Sequence, residues 1–294
     1  MHRLPFRPMP SGKRARQQRQ VAAATAPPPV RSKGSSGPRA RQASPRALAI
    51  AGGVVLVIVI AIVLGVVLSS GGGSNGSGVV TSADMDGLPA TGSQSWAGSL
   101  AGASEANNLF KGIPQNGLTL GDPKAPVEMM MFIDVRCPVC QDYETLKLPT
   151  VVKDEIANGK VQLHLKPWAF LGPQSFTGRR GLIAAANQNK GFEYAKVLYD
   201  NQGLESTQWL TGREMALIAA SVNGLDLAKW RDDTNASASE ATARGVDKLA
   251  KQKNVQATPS IFIGCKGGQL QLIGGGSEPT AQQTEQAINS AACA

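Results

Sequence analysis

The chain has 294 residues, enough for one or two ordinary domains, and a formal net charge of +9. That charge sits at one end: residues 1–46 hold eleven Lys/Arg and no acid, leaving 19 basic against 21 acidic residues over 47–294. Nothing after residue 46 therefore resembles a nucleic-acid surface, so no nucleic-acid partner is expected.

Residues 1–46 are polar and rich in Pro and Gly, too poor in apolar residues for a core, and read as a disordered basic cytoplasmic tail. Residues 47–68, ALAIAGGVVLVIVIAIVLGVVL, carry no charged side chain. As a helix they would span about 33 Å, close to a hydrocarbon core of about 30 Å. The run exceeds the apolar region of a cleaved signal peptide, about 7–15 residues. It reads as one transmembrane signal-anchor helix that ties the chain to the cell membrane. Positive charge before it and SSGGGSNGSG after it place the N-terminus in the cytoplasm and the rest outside. Residues 69–106 are rich in Gly, Ser and Ala and read as a flexible linker reaching about 35 Å.

A compact domain is expected over 107–294. Val127–Asp134 is an apolar strand, and helical sequence follows it to about Asn158. In Lys160–Trp168, Val161, Leu163 and Leu165 alternate with polar residues as in a half-buried strand. Residues 174–253 read as several helices. Ser260–Gly264 is a strand, Gln269–Gly274 its hairpin partner, and Glu278–Ala292 a closing helix with Pro279 near its first turn. The order is a βαβ unit and a ββα unit with a helical block between them, an α/β architecture.

Four cysteines in an oxidising compartment allow three pairings. A Cys137–Cys140 loop would contribute about 1.9 kcal/mol by chain entropy, and a Cys265–Cys293 loop about 3.6 kcal/mol. The long loop suits a structural disulfide, the short one a functional dithiol. Cys137 follows a strand and opens a helix, where backbone N–H groups favour a thiolate; Pro138 fits the first turn, and Arg136 adds positive charge. Cys137 is thus the expected exposed nucleophile and Cys140 the buried resolving thiol. Two cysteines make only half a metal site, and His2 and His164 do not complete it. Met129, Met130 and Met131 read as core rather than soft-metal ligands. No metal is expected.

GDPKAPVEMMMFIDVRCPVC and VQATPSIFIG together resemble the DsbA-like thiol–disulfide oxidoreductases of the thioredoxin superfamily. The resemblance covers about residues 107–294. It implies a thioredoxin fold with a helical subdomain inserted at about 174–253 and no cofactor. It also implies that Thr258–Pro259 forms a cis-proline loop facing the CPVC motif (Cys137, Pro138, Val139, Cys140), where Thr258 backbone groups pair with substrate. Its further implications are clients among cysteine-containing secreted or cell-envelope proteins and a quinone-linked membrane partner that recycles the dithiol. Two positions depart from the family pattern. Met131 stands where a buried acid is common, leaving Asp134 or Glu128 to replace it, and Val139 stands where the strongest oxidants carry histidine. The leading reading is a membrane-tethered, extracytoplasmic oxidase or exchanger of protein thiols. A reductase or isomerase using the same site, or a non-catalytic chaperone or metallochaperone of the same fold, are the alternatives.

Overall fold

The structure, a computed structural model, describes residues 79–293, and all that follows concerns these. The expected tail and the anchor at 47–68 lie outside them. Among the described residues no helix is long and apolar enough to cross a membrane.

Six strands form one mixed sheet: β1 (Gln115–Asn116), β2 (Thr119–Leu120), β3 (Val127–Ile133), β4 (Val161–Pro167), β5 (Ser260–Cys265) and β6 (Gln271–Leu272), ordered β1-β2-β4-β3-β5-β6. β3 is central, parallel to β4 and antiparallel to β5. Being covered on both faces, it reads as an unbroken apolar run apart from Glu128. Met129, Met131 and Ile133 enter the main core, while Met130 and Phe132 join a smaller cluster with Val246, Ala250 and Phe262 on the opposite face.

Helix α1 (Ala103–Leu109) precedes the sheet. The β3–β4 crossover starts with α2 (Pro138–Asp142), passes through a π-helical turn (Tyr143–Lys147) into α3 (Leu148–Val151), and ends in a second π-helical turn (Val152–Ile156). Pro149 has no N–H for the ordinary ladder, and the ladder widens on both sides of it. Between β4 and β5 lie α4 (Pro173–Ala186), α5 (Gly191–Asp200), α6 (Gly212–Ala220), α7 (Leu227–Asn235) and α8 (Ser237–Gln252). This is the thioredoxin fold with the inserted helical subdomain. The last helix, α9 (Ala281–Ser290), starts later than expected, because Thr280 and Gln283 form a reciprocal capping box that leaves Pro279 outside. The hairpin partner of β5 is also shorter than expected: only Gln271–Leu272 pairs.

One boundary needs correction. Residues 79–106, expected within a flexible linker, are folded onto the helical subdomain. Gly92 N–H donates to Leu225 O and Ser93 N–H to Ala220 O, both at 2.8 Å, and Gly224 N–H returns a bond to Gly92 O. A side chain at Gly92 would meet Val222 O at 2.2 Å, so glycine here permits a close backbone approach. Val80 is buried, and its backbone N–H and C=O are both held by the Asn235 amide.

Candidate active site

β3 ends at Ile133, and the next four residues bring Cys137 to the mouth of the site. Asp134, buried at this exit, accepts four hydrogen bonds: from Arg136 N–H (2.9 Å), Phe170 N–H (2.8 Å), Leu171 N–H (3.0 Å) and Ser175 Oγ (2.7 Å). Its carboxylate is therefore fully committed to joining the CxxC approach to the loop after β4. Arg136 turns the other way. Its guanidinium donates to Leu171 O (2.8 Å), to Thr207 O (2.9 Å) and to Glu205 O, bridging two loops beside the site. The expected role of Arg136 as a charge stabilising Cys137 is thus replaced by a structural one: its charge is taken up by three carbonyls.

Cys137 caps α2, with Pro138 in its first turn and Val139 projecting into solvent. Cys137 itself is only 6 % exposed, against the expectation of an open thiol, because the Thr258–Pro259 loop lies over it. That peptide bond is cis, and the Cys137 thiol donates to Thr258 O at 3.3 Å. The Cys137 pKa falls from 9.0 to about 6: a hydrogen bond from the Cys140 thiol leads, desolvation opposes it, and Thr258 and the N–H groups of Cys140 and Val139 add support. Thr258 Oγ1 is buried without a partner and is free to donate to a thiolate. Cys140, fully buried one turn inward, is shifted the other way, first by burial and then by Cys137. The two sulfurs are thus split into a thiolate beneath the Thr258–Pro259 loop and a protonated thiol one turn deeper. Cys265 and Cys293 are bonded to each other at the end of β5, with Cα atoms 5.3 Å apart.

Neither acid named as a substitute for the residue at Met131 is free. Asp134 is saturated, and Glu128 lies on β3 beside His164 (3.9 Å), which also meets Thr119 Oγ1. Met131 itself is core. One buried acid close to the dithiol carried no signal in the sequence. Glu144 sits on the outwardly polar-looking helix one turn past Cys140, and nothing in its spacing distinguishes it from a solvated residue. Among the described residues no cluster of His, Cys, Asp and Glu could hold a metal.

A buried dithiol of opposite pKa shifts at the end of the central strand, facing a cis-proline loop in a thioredoxin fold with a helical insertion, defines a DsbA-like thiol–disulfide oxidoreductase. The chain belongs to the thioredoxin family: the family model described as Thioredoxin matches residues 114–269, just over half of it. It is 27 % identical over 163 residues to the "Probable disulfide bond formation protein D" of Bacillus cereus, covering 54 % of this chain and 74 % of that protein. With "Disulfide bond formation protein D" of Bacillus subtilis the identity is 22 % over 169 residues, covering 55 % and 75 %. The crystal structure of oxidised BdbD from Bacillus subtilis has the same fold, with a TM-score of 0.53 and 19 % identity over 59 % of this chain and 91 % of that one.

Proposed function

We propose that the protein is an extracytoplasmic, membrane-anchored oxidase of protein thiols that works through Cys137–Cys140. The observation that carries this reading is the split of the two sulfurs: the Cys137 pKa near 6 makes it a good leaving group, and Cys140 is held protonated. In the oxidising direction a client thiolate attacks Cys137 Sγ of the disulfide. A client–Cys137 bond forms, and Cys140 leaves with the electron pair. A second client thiolate then attacks the client sulfur, and Cys137 departs as a thiolate. The client gains a disulfide and the enzyme becomes a dithiol. Thr258 backbone groups, at the mouth of the site, are placed to pair with the client chain. The names of the Bacillus relatives, which speak of disulfide bond formation, support the oxidising direction. The apolar run at 47–68, with its basic N-terminal flank, supports an anchored catalytic domain outside the cytoplasm. There its clients would be secreted or envelope proteins, and a membrane redox partner would recycle the dithiol.

The test is oxidative refolding of reduced, unfolded ribonuclease by the full-length protein. With oxidised glutathione as the terminal oxidant, native protein should restore ribonuclease activity and Cys137→Ser should abolish catalysed turnover, while Cys140→Ser, first loaded as the Cys137–glutathione mixed disulfide, should release glutathione to the attacking client thiolate and accumulate client joined to Cys137. Substantial turnover by Cys137→Ser would sink the mechanism.

A further inference from the structure

Cys137 is delivered to α2 by the turn that starts at Asp134, and Cys137 N–H closes that turn on Asp134 O at 3.0 Å. A carbonyl oxygen has two lone pairs, and the second at Asp134 O is taken by the Tyr199 phenol, which donates at 3.0 Å. Two residues on, Arg136 O accepts from Gln202 Nε2 at 3.2 Å. The peptide unit between Arg136 and Cys137 is therefore gripped at both ends, its C=O by Gln202 and its N–H by the carbonyl that Tyr199 holds. That unit is planar, so fixing both ends fixes the entry into Cys137. Tyr199 lies in the last turn of α5 and Gln202 just beyond it, so both grips come from the inserted helical subdomain. A third bond closes the joint: Gln141 Nε2, on α2, donates to Tyr199 O at 2.8 Å.

Packing alone does not ask for these polar groups. The Tyr199 ring is fully buried in the main apolar cluster, a place that phenylalanine would fill. Its hydroxyl must find a partner there, and finds it in the turn before the nucleophile. Burial holds the phenol well above its ordinary range, so it stays a donor, and it feels the charges of both Cys140 and Cys137. Gln202 Oε1 is buried without a partner, an arrangement that core packing by itself would not retain. The end of α5 is itself braced: Asn201 Nδ2 donates to Ala101 O at 2.9 Å, and Lys196 Nζ meets Asp200 at 2.6 Å and Glu105 at 3.8 Å.

We propose that Tyr199 is a positioning residue for the nucleophile: with Gln202 it clamps the peptide before Cys137 and holds the sulfur where its hydrogen-bond donors reach it. Cys137 stands at φ −74° and ψ 120°, just outside α2, and its thiolate accepts from the N–H groups of Cys140 and Val139. Rotation of the preceding peptide carries Sγ away from those donors and weakens the thiolate. The charged side chains of the turn cannot compensate, because the Asp134 carboxylate and the Arg136 guanidinium are spent on other loops. Through this clamp the helical subdomain sets how readily the disulfide takes up electrons.

This role rests on the thiol-exchange reading and can fail separately from it. In the reduced full-length protein, far-ultraviolet thiolate absorbance is titrated with pH; it reports Cys137, because Cys140 stays protonated. The reduction potential of the pair is measured against glutathione at pH 7. One hydrogen bond is worth roughly two- to twelvefold in an equilibrium, so Tyr199→Phe, which keeps the ring, should raise the Cys137 pKa from about 6 to about 7. At pH 7 that cuts the thiolate's stabilisation of the dithiol from about elevenfold to about twofold and lowers the potential by about 22 mV. Gln202→Leu should move both readings the same way, and the double variant further than either. A merely structural role would lower the urea midpoints of both redox forms alike and leave pKa and potential in place. A pKa within about 0.2 unit and a potential within about 5 mV of native in Tyr199→Phe, or in Gln202→Leu if Tyr199→Phe does not fold, overturns the clamp. Failure of the native pair to exchange with glutathione overturns the exchange reading instead.

Discussion

The lowered pKa of Cys137 is also a statement about stability. In the reduced folded protein it is about 6, against 9.0 for an unperturbed thiol. A depressed pKa contributes stability that is fully present above the unfolded value and is lost as pH falls through the folded value. The full shift corresponds to about 4 kcal/mol. Integrated from pH 5 to pH 8, reduced protein gains about 2.5 kcal/mol from this group. The oxidised protein has no such group. Urea unfolding of both forms at pH 5, 6, 7 and 8 isolates the effect, because titrations common to both forms cancel in the difference. Cys140 does not interfere, since it stays protonated in the folded state. The stability of the reduced form relative to the oxidised form should climb steadily with pH. A difference flat to within about 0.3 kcal/mol, or one that falls with pH, would refute the thiolate assignment.

Three further outcomes are expected. A raised carboxyl pKa costs stability as pH rises from 4.5 toward 8, so Glu144→Gln should stabilise the protein by about 1 kcal/mol at pH 5 and up to about 3 kcal/mol at pH 7, read by urea denaturation. Asp134→Ala strands four donors, and Arg136→Met three carbonyls; each should cost about 2–4 kcal/mol in the same assay and expose the loops at 168–172 and 203–208 to proteolysis. Replacing Cys265 and Cys293 by serine should cost up to about 3.6 kcal/mol while leaving Cys137 reactivity intact, as measured by thiol alkylation.

Where periodicity was strong the fold was legible. β3, β4 and β5 announce themselves by alternation or unbroken apolar runs, and the helical block by its length. The dithiol and its proline loop could be placed in register from two short motifs. Two-residue strands such as β1 and β2 carry no period, and the hairpin they form was invisible. The segment 79–106 misled for a physical reason: the Gly and Ser that suit a flexible linker also suit backbones packed against each other, as at Gly92. Arg136 shows the limit at the site. Sequence gives its charge and its adjacency to Cys137, but only the three carbonyls around its guanidinium show where that charge is used. Glu144 could not be singled out, because burial depends on the packing of α5 over α2.

The most direct measurement is the reduction potential of Cys137–Cys140, found by equilibrating the full-length protein with glutathione. The Cys137 pKa of about 6 lies between those typical of thioredoxin, about 7, and of the strongest oxidants, about 3.5. An oxidase with this thiolate should therefore show a potential above about −220 mV and below about −120 mV, whereas a value at or below about −270 mV would mark a reductase and contradict the proposed direction of electron flow.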